Sequence, residues 1–467
     1  MFRNHDMPLP RDRSGHVYLL IVVGLLAAVL RLHHLGSGLW YDEIVTVEEY
    51  VRLPVGHLVS SYAHANHHVL NSLLAKAATA AFGEAAWSVR LPAAIFGVGG
   101  VGAFWFVARG IWPAQVALSA TLLFALSYPH VFYSQSARGY SALIFFALLA
   151  TGFAVGGAAT PGRGEGRATG LGYAVSIALG LYAMLLMAFV AAGHGVVFLA
   201  TRRWRALGWL LAGVAGAVVL YGPMVPDLVN YYRLSPSYTG NPLLSADFAR
   251  ELGRVWPVLL IMAAAGAIVL GRLLRRDRWL AMLVVTPLAL NILVPLVRGQ
   301  GVHPRSFMYA LPLAHLFLGE LLAWCSTVHP VLMRSVALTV ALVSIAPLPG
   351  YYAVPKQGFD QALAWVSRER SPSDVIVGVS MAGRAARFYD PSVIALENGD
   401  ALDEWLSRDG RPAWVLATFP GQLSRDYPRL AAWIERDTER RAVFAAAVGD
   451  GVVAVHRWDP THSGFTR

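Results

Sequence analysis

Long apolar runs recur along this chain, each close to the length that crosses a bilayer and each set off by a short polar break. They fall at about 16–33, 91–108, 114–131, 140–158, twice within 170–200 with a turn near Tyr182, and at 206–222, 255–271, 279–297, 306–324 and 335–349. A soluble domain has no use for so much apolar surface: 56% of the residues are hydrophobic and 14% are charged. The pattern predicts a polytopic α-helical membrane protein with about eleven transmembrane helices. The stretch 69–82 is apolar but short and carries Asn71, Ser72 and Lys76. It reads as an amphipathic helix lying at the interface, inside a first external loop of about residues 34–90.

Basic residues set the orientation. Arg3, Arg11 and Arg13 precede the first run, and Arg163, Arg167, Arg202, Arg203, Arg205 and the segment Arg272 to Arg278 fall in alternate breaks. Under the positive-inside rule these face the cytoplasm, so the N-terminus is cytoplasmic and the chain is a multi-pass protein of the inner (plasma) membrane. Asp42, Glu43, Arg90, Arg138 and the loop 298–305 then face outward. An odd number of spans sends the C-terminus to the periplasmic side. The net charge of +10 belongs to this loop bias and does not argue for nucleic acid. The first run lacks a small-residue cleavage site and reads as a retained signal anchor. Cys325 is the one cysteine, which excludes an intrachain disulfide and a thiolate metal cluster.

From Pro355 the composition changes. Helical patterns at 359–368, 400–407 (with Asp400 as its cap) and 427–438 alternate with short apolar strands at 375–379, 413–417 and 452–455. The alternation predicts an extracytoplasmic α/β domain with a largely parallel sheet. The division is thus 1–350 for the membrane domain and 351–467 for the soluble one. No glycine-rich phosphate loop follows any of these strands, which argues against a nucleotide site there.

The polar residues expected on the outer face carry the candidate chemistry. Asp42 and Glu43 pair two carboxylates just beyond the first span, where losing hydration is costly, and a carboxylate there can take a proton from a hydroxyl or amine. Arg90, Arg138, Arg305 and Lys76 supply cations, and the arginine fork suits phosphate oxygens. Arg138 stands in a polar break beside Tyr133, Gln135 and Tyr140. His64, His67 and His68 are dense enough to hold a divalent ion with Glu43, although hydrogen bonding or capping explains them equally well. Arg90 and Arg305 also suit headgroup anchoring, His303-Pro304-Arg305 a plain turn, and the tyrosines of 231–238 an interfacial belt.

Four of these segments, in this order, resemble the GT-C glycosyltransferases, specifically bacterial glycosyltransferase family 39 with the protein O-mannosyltransferases and lipid A aminoarabinose transferases. They are Trp40-Tyr41-Asp42-Glu43; Phe82-Gly83 followed by Val89-Arg90-Leu91-Pro92-Ala93-Ala94-Ile95-Phe96-Gly97; Tyr133-Ser134-Gln135-Ser136-Ala137-Arg138-Gly139-Tyr140; and Arg305 before Leu311-Pro312. The resemblance covers about residues 16–350, and the α/β tail is similar to tails in the family. It implies a GT-C fold and an inverting transfer from a polyprenyl-phosphate sugar donor to an extracytoplasmic acceptor. It implies Asp42 as general base or acceptor-orienting group with Glu43 beside it. Arg90, Arg138 and Arg305, with Lys76, His67, Tyr140 and His303 around them, would bind the donor phosphate or order the site. No cofactor is assigned, and a divalent ion on Glu43, His64, His67 and His68 stays open. Two departures stand out: the family's His-Pro-Pro-Leu-Tyr stretch reads His67-His68-Val69-Leu70-Asn71, and Ser136 occupies a position that often carries an acid.

Other classes fit parts of this pattern. A lipid or glycan transporter or flippase also has many spans, but it places ionisable residues near the midplane and often repeats its halves. Here the charges gather at one face and no halves repeat. An assembly protein would act through the α/β tail, and tail deletion separates that case from chemistry.

Overall fold

The computed structural model describes residues 13–63, 66–158, 166–234, 266–298 and 304–461. The chain divides into two compact units. One is helical and holds Met1–His33, Pro54–Ala81 and Arg90–Ala346. The other joins Pro347–Arg467 to two pieces of the first loop, His34–Leu53 and Phe82–Val89. The division expected at residue 350 is drawn by contacts at Pro347, and the loop 34–90 is shared between the units rather than belonging to the helical one alone.

Among the described residues, five helices are long and apolar enough to cross a membrane: Ala86–Ile111, Trp204–Tyr231, Arg278–Val297, Arg305–Val328 and Pro330–Ala353. Ala114–Leu126 and Tyr128–Ser134 make a sixth if taken together, but they bend by 57°. The run 114–131, expected as one straight span, is therefore broken. Ser127 leaves helical geometry, and Pro129, in the first turn of the second helix, has no amide to donate to the carbonyl of Ala125, so the first helix does not run on. Shorter apolar helices cover His16–Leu32, Val69–Phe82, Tyr140–Gly156 and Met187–Ala200. Large apolar side chains point outward along these helices, among them Leu25, Ile95, Val219 and Val343, as a lipid-facing surface requires. Helix Val69–Phe82 has 14 residues. At about 1.5 Å per residue it falls well short of the roughly 30 Å hydrocarbon core. The expected span at 255–271 lies largely outside the described residues, and 266–276 are helical. The expected loop after residue 222 instead continues as helix Val225–Leu234, whose Tyr231 packs edge-on against Tyr62 at 5.3 Å.

A buried arginine ties the first helix to the broken pair. Arg31 donates through Nη1 to the carbonyls of Ala27 and Ala125 at 3.1 Å, and Nη2 lies 2.8 Å from His130 Nδ1. Gln135 Nε2 donates to the carbonyls of Leu30, Arg31 and His33, capping the end of the first helix from outside it. Gly97 makes this junction possible, since a Cβ there would collide with Ser134 and press on Arg31.

The second unit is built on a five-stranded sheet ordered β2-β1-β3-β5-β4. The strands are β1 (Val375–Val379), β2 (Ile394–Leu396), β3 (Ala413–Thr418), β4 (Glu439–Phe444) and β5 (Val453–Trp458). β1 runs parallel to β2 and β3, with Val377 opposite both Ile394 and Val415. β5 runs antiparallel to β3 and β4. The sheet is therefore mixed rather than largely parallel, because β4 and β5 close the chain as a hairpin instead of a helical crossover. Helix Gly399–Arg408 is capped by Asn398, whose side chain accepts from the amides of Asp400 and Ala401, so Asp400 is not the cap. The core stacks Trp405, Trp433 and Trp458 under the central strands.

Candidate active site

The acidic stretch folds as helix Tyr41–Thr46 followed by a wide turn, Val47–Val51. Its two leading acids have different fates. Glu43 is fully buried; its Oε2 accepts from the amide of Trp40 at 3.3 Å, and its Oε1 lies 3.9 Å from Lys356 Nζ, itself buried. That is a capping-box carboxylate with a buried counter-charge, a structural role that limits its freedom to take a proton. Asp42 is half-buried, one position earlier on the first helical turn, where its charge also faces the positive end of the helix.

The rest of the stretch is fastened by the C-terminal part of the same unit. Gln357 accepts from the amide of Tyr41 at 2.8 Å and donates to Thr418 Oγ1 and the carbonyl of Gly451. Arg384, on helix Met381–Tyr389, donates to Glu48 at 2.7 Å and to Glu49 at 2.6 Å. Tyr389 donates to the carbonyl of Leu39. Thr418 ends β3, and helix Met381–Tyr389 follows β1 directly. The stretch is thus fixed at the carboxyl ends of the parallel strands, the place where open α/β sheets usually keep a ligand. Burial raises the pKa of Tyr41, opposed by Arg384, so its phenol is held protonated.

The helical unit gathers most of the other candidates. Arg138 is buried, donates to Asn66 Oδ1 at 2.8 Å, and lies over the ring of Tyr140 at 5.4 Å. Burial lowers its pKa, and the charge of Arg305 lowers it further. Tyr140 is itself buried between Tyr133 at 4.4 Å and His68 at 5.7 Å between ring centroids. His67 is buried with Nδ1 3.1 Å from the carbonyl of Ser61. Burial pushes His67 down to about 4 and His68 to about 3, with Arg305 adding to the second. Arg305 is exposed at the start of a 3-10 turn, Pro304–Ala310. Lys76 is half-buried within helix Val69–Phe82, and Arg90 is buried on helix Ala86–Ile111. His303 and His64 lie outside the described residues. Among the described residues no three His, Cys, Asp or Glu side chains come together as a metal ion needs. Of the proposed ligand set, Glu43 belongs to one unit and His67 and His68 to the other.

Sequence reading did not single out Lys356, Gln357 and Arg384, which no pattern links to residues more than 300 positions earlier. It also passed over Asn71 and Ser72 as mere marks of a weak span. Both are fully buried, and Asn71 Oδ1 and Nδ2, Ser72 Oγ and His68 Nε2 have no hydrogen-bond partner among the described residues. Each such atom ordinarily costs about 1–3 kcal/mol. Their spacing on an interfacial helix, at i, i+3 and i+4, was the available signal.

No protein-family model matches the chain, and no curated protein does. Solved structures do. ArnT from Cupriavidus metallidurans bound to undecaprenyl phosphate superposes with a TM-score of 0.59 at 15% identity, over 97% of this chain and 100% of that one. The same protein in the apo state gives the same score and covers 99% of that chain. The archaeal oligosaccharyltransferase AglB from Archaeoglobus fulgidus, in complex with an inhibitory peptide and a dolichol-phosphate, follows with a TM-score of 0.56 at 11% identity, over 94% of this chain and 74% of that one. The chain has the GT-C fold. At these identities the likeness speaks for the fold, and the GT-C architecture extends through the sheet-bearing tail as well as the helices.

Proposed function

We propose that this GT-C protein is an integral-membrane inverting glycosyltransferase, moving a hexosyl or pentosyl unit from a polyprenyl-phosphate-linked donor to an extracytoplasmic glycan, lipid or protein. In this reading it sits in the inner membrane with about eleven spans, its N-terminus cytoplasmic and its tail outside. The observation that carries it is the fold shared over 97% of the chain with a protein whose solved structure holds undecaprenyl phosphate. A hydroxyl or amine of the acceptor attacks the anomeric carbon from the face opposite the phosphate, and the bond from that carbon to the phosphate oxygen breaks. The polyprenyl phosphate departs with the electron pair, and the acceptor's proton passes to Asp42. A phosphate is already a weak base, so the leaving group needs charge stabilisation more than a proton. Arg138, whose charge is opposed by that of Arg305, would gain from a bound anion. Glu43 is left out of the chemistry and assigned to holding the helix of Asp42.

The test is transfer from labelled polyprenyl-phosphate sugars by wild type and Asp42→Asn, with mass spectrometry of the lipid each protein retains on purification. Asp42→Asn should lose transfer by roughly 100-fold or more while keeping its lipid. Wild-type turnover by that variant removes Asp42 as base. Bulk phospholipid alone on both proteins, with no transfer by wild type, removes the donor assignment.

A further inference from the structure

Helix Val69–Phe82 turns one face into the protein. His68, Asn71, Ser72 and Ala75 follow one another at i, i+3, i+4 and i+7, and all four are buried. The amide of Ser72 bonds the carbonyl of His68, so His68 continues the helical geometry by one residue. The first three members bring polar atoms that no described residue pairs: both ends of the Asn71 amide, the Ser72 hydroxyl and His68 Nε2. Ala75 continues the face with a methyl group only. The stripe is continuous with the Arg138 cluster, because the ring of His68 packs on Tyr140 and Gly139 brings the chain after Arg138 against His68. A side chain at Gly139 would collide with the carbonyl of Ala183 and press on His68 Cβ, so this contact depends on glycine.

The chemistry of the stripe differs from that of the arginines. A phosphate or carboxylate asks for donors only, which Arg138 supplies. Asn71 offers two donors and an acceptor, Ser72 a donor and an acceptor, and His68 a neutral ring nitrogen. A ligand with several hydroxyl groups, each able to donate and accept, matches that mixture; an ion does not. Burial keeps competing bulk water away, so each bond made there counts for more than at the surface.

We infer that His68, Asn71 and Ser72 form a recognition subsite for a neutral, hydroxyl-bearing sugar ring whose attached phosphate is taken by Arg138. This rests on the donor class proposed above and adds which residues read the sugar. Such a site rejects a ligand lacking the hydroxyls, because its own buried polar atoms then stay unpaired.

The experiment measures dissociation constants of the full-length protein for bare polyprenyl phosphate and for a panel bearing mannose, glucose, galactose or arabinose. Wild type, Ser72→Ala and Asn71→Leu/Ser72→Ala are compared. Wild type should bind at least one sugar-bearing lipid about tenfold or more tighter than the bare phosphate. The double variant should lose most of that preference, and Ser72→Ala part of it, with bare-phosphate affinity unchanged within about twofold. The inference is overturned if both variants keep the full preference, since the orphaned atoms are then merely hydrated. It is also overturned if affinity for bare and sugar-bearing lipids falls alike, since the stripe would then read phosphate, or if wild type shows no preference. Failure of wild type to bind any polyprenyl phosphate overturns the donor reading itself, a result distinct from the other three.

Discussion

The acid-bearing stretch Trp40–Val51 and the stripe beginning at His68 belong to one loop in sequence and to two different compact units in the fold. Their polar side chains are treated in opposite ways. Around the acids, Lys356 meets Glu43, Arg384 meets Glu48 and Glu49, and Gln357 meets the amide of Tyr41. Along the stripe, Asn71 and Ser72 are sealed from solvent with their polar atoms unspent. A saturated network fixes a backbone in place; an unsaturated one keeps bonding capacity for something else. In the first region the chain has committed Glu43, Glu48 and Glu49 to architecture. In the second it tolerates a standing cost that only a ligand or ordered water relieves.

Substitutions should therefore act with opposite sign in the two regions. Lys356→Met removes a buried cation from beside the carboxylate of Glu43 and should cost about 1–3 kcal/mol, seen as a lower unfolding midpoint; adding Glu43→Gln should recover part of it. If Lys356→Met is neutral, the acids are not held as described. Asn71→Leu should stabilise the ligand-free protein, by about 1 kcal/mol, since an apolar side chain removes two unpaired atoms. A destabilised variant would mean the stripe is saturated after all. The smallest effect is on pH. His67 and His68 have folded pKa values below the unfolded value of 6.5, so the unfolded chain takes up protons first as pH falls. Their contribution is full above about pH 7 and is lost progressively from 6.5 toward about 4 for His67 and about 3 for His68, about 0.7 kcal/mol for each over pH 7 to 6. Replacing both with glutamine should flatten that part of the profile.

Much of this was legible in the chain. Helix Val69–Phe82 was read as too short and too polar to span, and it is a separate 14-residue helix. β1 was read at Val375–Val379 because a β-branched run buried on both faces looks the same in sequence and in space. β4 was not read, since Glu439-Arg440-Arg441 begins an edge strand that shows its charges to solvent. β2, three residues long, gives periodicity nothing to count. Asp42, Arg138 and Tyr140 stand out as candidates by residue type and place in the sequence. The burial of Glu43 beside Lys356 does not, nor does the hold on its helix by Gln357, which stands 316 residues from its partner Tyr41.

That separation has a temporal side. At about 5–20 residues per second, a ribosome that has just made Tyr41 needs roughly 15 to 60 seconds to reach Gln357. Until then neither Lys356 beside Glu43 nor the ion pairs of Arg384 exist, while the apolar helices between are already made. The half-made protein has its lipid-facing body but no fixed carboxylate. Under the function proposed above, transfer depends on the part of the chain made last, so a chain that stops early is expected to be inert rather than active in the wrong place.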